Sequence, residues 1–474
     1  MPRSAMVISA RVVTGVIGIA VAAATIGVAG LVALPHVVRT PQSVSVTPTP
    51  AAKQLICAGS VLQLGNAGGQ NASVASALGE PTTTTSGNVD TTRMSASDLS
   101  DSTTGTPTLL TAPADSATAG IAGAQYQSVN EGDYRGLAAS ECAPPSSDTW
   151  LLGGSTAVGR STLLTLVNPG RVASTISMEI YSDDGLVEAA GTTGIVVPAG
   201  GQRVISLAGY APDVVSLAVH VVSRGGPVTA NLQESIVRGI EPSGVDIIGH
   251  TAAPSTLNVI PGILIAGADA VSGRLGEEGF EDLGTALRLF VPGDDAAQAT
   301  VRVVPEDPAL VGASFELSLD PGVVTDIPIE GLTDGAYSVV VDSTVAVAVA
   351  ARASTVAGQK AGSTPAGASD VAWFASATAL TGPTLASIAF GKSASLHLSN
   401  PGDTSVTVTI GPNTVVVDAG ASVSVEVTAG LTYTLDGGEG LFASISVTAP
   451  GGLAGYLVSS AANDESPVTI YPQP

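Results

Sequence analysis

From about residue 148 onward the chain is written in short runs that alternate apolar with polar residues. In 174–182, Ile176, Met178 and Ile180 alternate with Ser177 and Glu179, and Asp184-Gly185 then supplies a tight turn. Period-two patterning of this kind predicts half-buried strands joined by hairpins. One apolar run recurs: LTLVNPG at 164–170, LRLFVPG at 287–293 and LHLSNPG at 396–402. Each ends in a corner, Asn168-Pro169-Gly170, Pro292-Gly293 and Asn400-Pro401-Gly402. Proline ends the strand because it cannot donate to a ladder, and glycine takes whatever angle the turn demands. Asn168 and Asn400 can bond the backbone of their corners, whereas Val291 stands at that place in the second copy. Pro198 follows Pro169 by 29 residues, and Pro321 follows Pro292 by the same interval. These repeats predict three tandem immunoglobulin-like β-sandwich units, 148–250, 251–355 and a shorter 370–474. In the middle unit TVAVAVAARAS is apolar at both parities, as in a strand covered on both faces.

The first part of the chain follows other rules. Residues 12–34 hold no charge, and a helix of that length spans roughly 34 Å against a hydrocarbon core of about 30 Å. The segment predicts a retained transmembrane anchor behind a short cytoplasmic tail, 1–11. Arg3, Arg11 and the amino terminus precede it, giving an N-in, C-out orientation at the plasma membrane. A cleaved signal peptide, leaving a secreted protein, is the alternative, although VALPHVV offers no small-residue exit. Residues 35–56 are rich in Pro, Ser and Thr and read as a stalk. Residues 57–147 are rich in Ala, Gly, Ser and Thr and read as a partly irregular segment. The tract TTTT at 82–85 suits O-linked sugar by composition, and NAS at 71–73 matches an N-glycosylation acceptor. Cys57 and Cys142 bracket the segment and are the chain's two cysteines. In an exported chain such a pair predicts a disulfide worth roughly 4 kcal/mol by loop entropy, with two separate buried thiols as the alternative.

Composition narrows the functional classes. A formal net charge of −23 repels phosphate backbones, which argues against a nucleic-acid partner. With 3% aromatic residues, a stacking surface for sugars has little to draw on. Trp150 and Trp373, the two tryptophans, open the first and third units at similar points and are read as sandwich-core anchors, with exposed sugar platforms as the alternative. His220 and His397 fall at the outward parity of their strands, which predicts solvated imidazoles. His36 borders the anchor, and His250 has no partner at ligand spacing. Metalloprotease, P-loop, dinucleotide and nucleophile-elbow motifs are absent from the sequence. The densest charge run carries Glu277, Glu278, Glu281 and Asp282, and it reads as a solvated acidic loop, as do Asp183-Asp184 and Asp294-Asp295. No cofactor or metal site is expected.

CAGSVLQL after an N-terminal span, YRGLAASECAPPSSDTWLLGG, LTLVNPG, VVPAGG and GPVTANLQES followed by GIEPSGVDII together resemble an actinobacterial family of membrane-anchored exported proteins, domain of unknown function 5719. The resemblance implies no activity and no catalytic residues. Anchor, strand array and missing motifs lead to the expectation of a non-catalytic scaffold or accessory subunit in cell-envelope assembly, working by contact with membrane or envelope proteins. An envelope-polysaccharide-binding module is the alternative. An enzyme with a dispersed site around His250 or Glu277–Asp282 is a further one.

Overall fold

The computed structural model describes residues 44–46, 53–65, 74–87, 89–101, 103–112, 120–357, 367–460 and 468–470. The expected anchor at 12–34, most of the stalk and the acceptor at 71–73 lie outside them. Among the described residues no helix is long and apolar enough to cross a membrane. Val44–Val46 pairs with Val468–Ile470 in a small antiparallel sheet of its own. The rest, 50–463, forms one compact, nearly all-β body.

The first unit contains Asp148–Leu152, Arg160–Asn168, Ser174–Ser182, Thr193–Val197, Gly201–Ser206, Ala218–Arg224, Thr229–Arg238 and Glu241–Ile248. Taken as strands one to eight, they form two sheets. One sheet has the order first, sixth, third, fourth, and the other has fifth, second, seventh, eighth. A short pairing at Gly185–Leu186 extends the third strand's edge. The last unit repeats this order strand for strand, from Thr384–Ser387 to Gly452–Leu457. The middle unit repeats it too, with one change. Its sixth and seventh strands run together as Gly335–Val356, whose first half pairs with Ser255–Ile265 and Ala297–Pro305 and whose second half pairs with Ala286–Phe290 and Ser369–Ala375. The Val/Ala alternation seen in the sequence is this shared central strand.

The repeated corners have a common construction. Asn168 Nδ2 donates to Val172 O (2.8 Å) and Val197 O (3.2 Å), and its Oδ1 accepts from Gly170 N. Asn400 does the same with Thr404 O, Val417 O and Gly402 N. Each buried amide therefore ties the end of the second strand to the end of the fourth. In the middle unit Val291 bonds through its backbone instead, accepting from Gly322 N at 2.8 Å beside Pro321.

Two boundaries differ from the sequence expectation. Ser369–Ala375 is the eighth strand of the middle unit, so Trp373 does not open the third unit, which begins at Thr384. In addition, much of the segment expected to be irregular is a fourth, reduced copy of the same unit. Lys53–Cys57, Thr108–Ala112 and Asp90–Arg93 form a sheet in the order first, sixth, third. Thr82–Thr85, Gly123–Glu131 and Tyr134–Glu141 form one in the order second, seventh, eighth. The fourth and fifth strands are missing among the described residues. Cys57 and Cys142 are disulfide-bonded, joining the end of the first strand to the residue after the eighth. The low content of bulky residues hid this copy, because a small core sealed by a disulfide needs few of them.

The four eighth strands, Tyr134–Glu141, Glu241–Ile248, Ser369–Ala375 and Gly452–Leu457, meet at the centre of the body. Each packs against the next, and the last packs against the first. The copies thus close into a ring with quasi-fourfold order.

Candidate functional site: polar groups buried where the copies meet

An eighth strand is the edge of its own sheet, so its outward N–H groups need acceptors once the ring buries them. One side chain supplies three of them. At matching places the four strands carry Gly136, Gly244, Asp370 and Gly452. Asp370 Oδ2 accepts from Leu137 N (2.9 Å) and Leu453 N (3.1 Å), and Oδ1 accepts from Val245 N (3.3 Å). Each donor is the residue after one of the glycines. The glycines are there for room: a side chain at 136 would collide with this carboxylate, and a Cβ at 452 would lie 2.8 Å from Leu137 Cβ. Asp370 is fully buried, and burial pushes its carboxyl up to about 8, against the pull of the N–H donors.

Beside this axis Asp246, also fully buried, accepts from Trp373 N (2.7 Å) and Ile247 N, and burial raises its pKa well above the usual range. The Trp373 indole N–H donates to Glu234 Oε2 at 2.7 Å, and the Arg288 guanidinium lies 4.6 Å over the ring. Arg288 makes a two-pronged pair with Asp326. Trp150 stacks on His220 with ring centres 4.1 Å apart, and it meets Phe290 of the middle unit. Both tryptophans are buried, at 9% and 4% exposure, but each sits where one copy meets the next. The sequence reading of sandwich-core anchors is corrected in that respect.

The outward parity assigned to His220 and His397 is right, but their solvation is not. His220 lies under Trp150 and contacts Asp148 and Glu179. His397 is fully buried, because the face outward from its own sandwich is covered by Ser255–Ile265 of the middle unit, with Gly262 against the ring. Its Nδ1 is hydrogen-bonded to Glu306 Oε2 and its Nε2 to Ser446 Oγ, both at 2.7 Å. Serine, histidine and glutamate in this order have the reach of a nucleophile, base and orienting acid. Here the hydroxyl and imidazole are sealed, with exposures of 2% and 0%, so a substrate has no approach in this conformation. Sequence spacing gave no signal for the trio, whose members are 49 and 91 residues apart.

The acidic run also differs from a solvated loop. Glu278 and Glu281 are exposed, but Asp282 is held by Arg160, Arg238 and Arg352. Burial opposes its ionisation, yet the three guanidiniums prevail and hold the carboxyl at about 2. Glu277 pairs with Arg274, whose guanidinium lies 3.7 Å over Phe280. His250 does find a distant partner, Glu141, at 3.6 Å. Burial lowers the histidine and pushes the glutamate up to about 8. Asp183-Asp184 and Asp294-Asp295 are exposed in turns, as expected. Among the described residues no group of three or more His, Cys, Asp or Glu is arranged to hold a metal ion.

On the outer edge of the first unit is a groove of about 370 Å³, lined by Gly191, Gly194, Ile195, Arg203 and Tyr210. No sequence motif marked it, because it combines a glycine-rich edge strand with residues from the next strand and turn.

A family of unknown function, DUF5719, matches residues 98–437. No curated protein matches the chain.

Proposed function

The chain belongs to the DUF5719 family, for which no activity is established, and on that premise we propose that it is a non-catalytic scaffold or accessory subunit of cell-envelope assembly. In this reading residues 12–34 anchor it N-in, C-out, and immunoglobulin-like sandwiches outside the membrane act by protein–protein contact. One observation carries the proposal: the groups best suited to chemistry are used as fasteners between copies. Ser446, His397 and Glu306 join the middle and last units, and Asp370 joins all four copies. Crosslinked pull-down of the full-length protein from its own membranes tests it. The expected result is reproducible recovery of an envelope enzyme. Robust hydrolase or transferase turnover by the purified protein overturns it.

A second reading, binding of envelope polysaccharide, is favoured by the Tyr210 groove. A tyrosine face beside an arginine can stack on a sugar and bond its oxygens. Trp150 and Trp373 are too buried for that role. On this reading Tyr210→Ala weakens binding of a wall glycan about tenfold or more in a titration, and an unchanged affinity removes it.

A further inference from the structure

In the three complete copies, the fourth strand pairs with the third and the fifth pairs with the second, along one lateral side of the sandwich. The pairings are extensive. Leu163–Asn168 faces Gly201–Ser206, Ala297–Val303 faces Ala313–Leu319, and Val406–Ile410 faces Asn413–Val417. In the reduced copy the corresponding third strand, Asp90–Arg93, and second strand, Thr82–Thr85, are sheet edges among the described residues. Asp90–Arg93 is exposed at every position, and Thr82–Thr85 at all but Thr84.

The chain that could have formed the missing pair is engaged elsewhere. Ser95 O accepts from Gln202 N (3.0 Å), and Asp98 accepts from Val204 N (2.6 Å) and Gln202 Nε2 (3.1 Å). Segment 95–98 therefore covers the fifth strand of the first unit and leaves its own copy open. Met94 N donates inward to Pro107 O and Ser86 N inward to Ala122 O. Strand alternation then turns the N–H and C=O groups of Thr91 and Thr83 outward.

We propose that these two edges form a strand-accepting site, filled by an extended segment of an envelope partner protein. The inference rests on the accessory-subunit reading and specifies its contact surface. The complete copies define the occupant: an extended segment that lays about five residues along each edge, as the fourth and fifth strands do, pairing through its backbone. Valine-like side chains at alternate positions would enter the sandwich, as the fully buried Val197 and Val417 do from the fourth strands. The rows of threonine tolerate many outward side chains, so most of the affinity comes from the main chain.

The test compares wild type, Thr91→Ala and Thr91→Pro in native membranes. Proline removes an outward donor and is tolerated at an edge, whereas alanine keeps the N–H. A partner recovered with wild type and alanine, but reduced about tenfold or more with proline at unchanged melting temperature, is the expected result. A photoreactive residue at position 91 then labels an extended segment of that partner, and a synthetic peptide of the segment binds wild type but not Thr91→Pro. If Thr91→Pro unfolds the protein, Thr83→Pro and the crosslink decide. Equal recovery with a folded proline variant, or labelling confined to this chain, overturns the site and leaves the accessory-subunit reading standing. Recovery of no partner by wild type overturns both.

Discussion

At the scale of single residues, the corner asparagines and the axial aspartate do the same kind of work by different means. Asn400 gives its amide to Thr404 O, Val417 O and Asp418 O and accepts from Gly402 N. Asn400→Ala orphans buried carbonyls, so denaturant unfolding should show a loss of about 2–3 kcal/mol. The chemistry of Asn-Pro-Gly is local, which is why the corner could be read from the sequence. Asp370 could not, because its donors come from residues 137, 245 and 453. Its pH behaviour follows from its burial. The folded protein keeps a proton on Asp370 and on Glu141 up to about pH 8, while the unfolded chain releases both near 4. Stability from these groups is therefore greatest below 4 and declines as pH rises from 4 to 8. Asp282, held at about 2, acts oppositely and withdraws its contribution as pH falls from 4 to 2. A melting temperature highest in mildly acidic buffer is expected. Asp370→Asn, which turns an amide donor toward N–H groups, should lower it and flatten its decline toward pH 8.

At the scale of elements, alternation identified the strands but not their neighbours. The parity of His397 was legible, since period two is a property of the strand itself. That its outer face meets Gly262 and Glu306 depends on how the copies dock, which no local pattern encodes. The same limit displaced Trp373, whose strand pairs with Gly335–Val356 of the middle unit. The four glycine or aspartate positions of the eighth strands show the constraint most sharply. A Cβ at Gly244 would lie 2.7 Å from Val371 Cγ1 and 2.8 Å from Val371 N. Gly244→Val should therefore cost several kcal/mol, more than an overpacked core position of about 1–3 kcal/mol, because backbone as well as side chain must move. Urea titration of the variant against wild type measures it.

At the scale of the whole molecule, a string of independent sandwiches would unfold in as many steps. Shared buried carboxylates and a central ring tie the copies together, so calorimetry should show a single cooperative transition for the body spanning 50–463. Separate transitions for the units would contradict the ring. The ring also bears on how such a protein can be assembled. Four identical chains placed around this axis would bring either four carboxylates to one point or none. Four would collide, since a side chain at 136 would already meet this carboxyl and a Cβ at 452 would lie 2.8 Å from Leu137 Cβ, and none would leave the converging N–H groups without an acceptor. A single acceptor side chain on a fourfold axis demands that the four copies be unequal, and covalent linkage in one chain is what allows one of them alone to differ. Asp370 makes tandem duplication a condition of this ring, and a symmetric oligomer of one unit could not replace it.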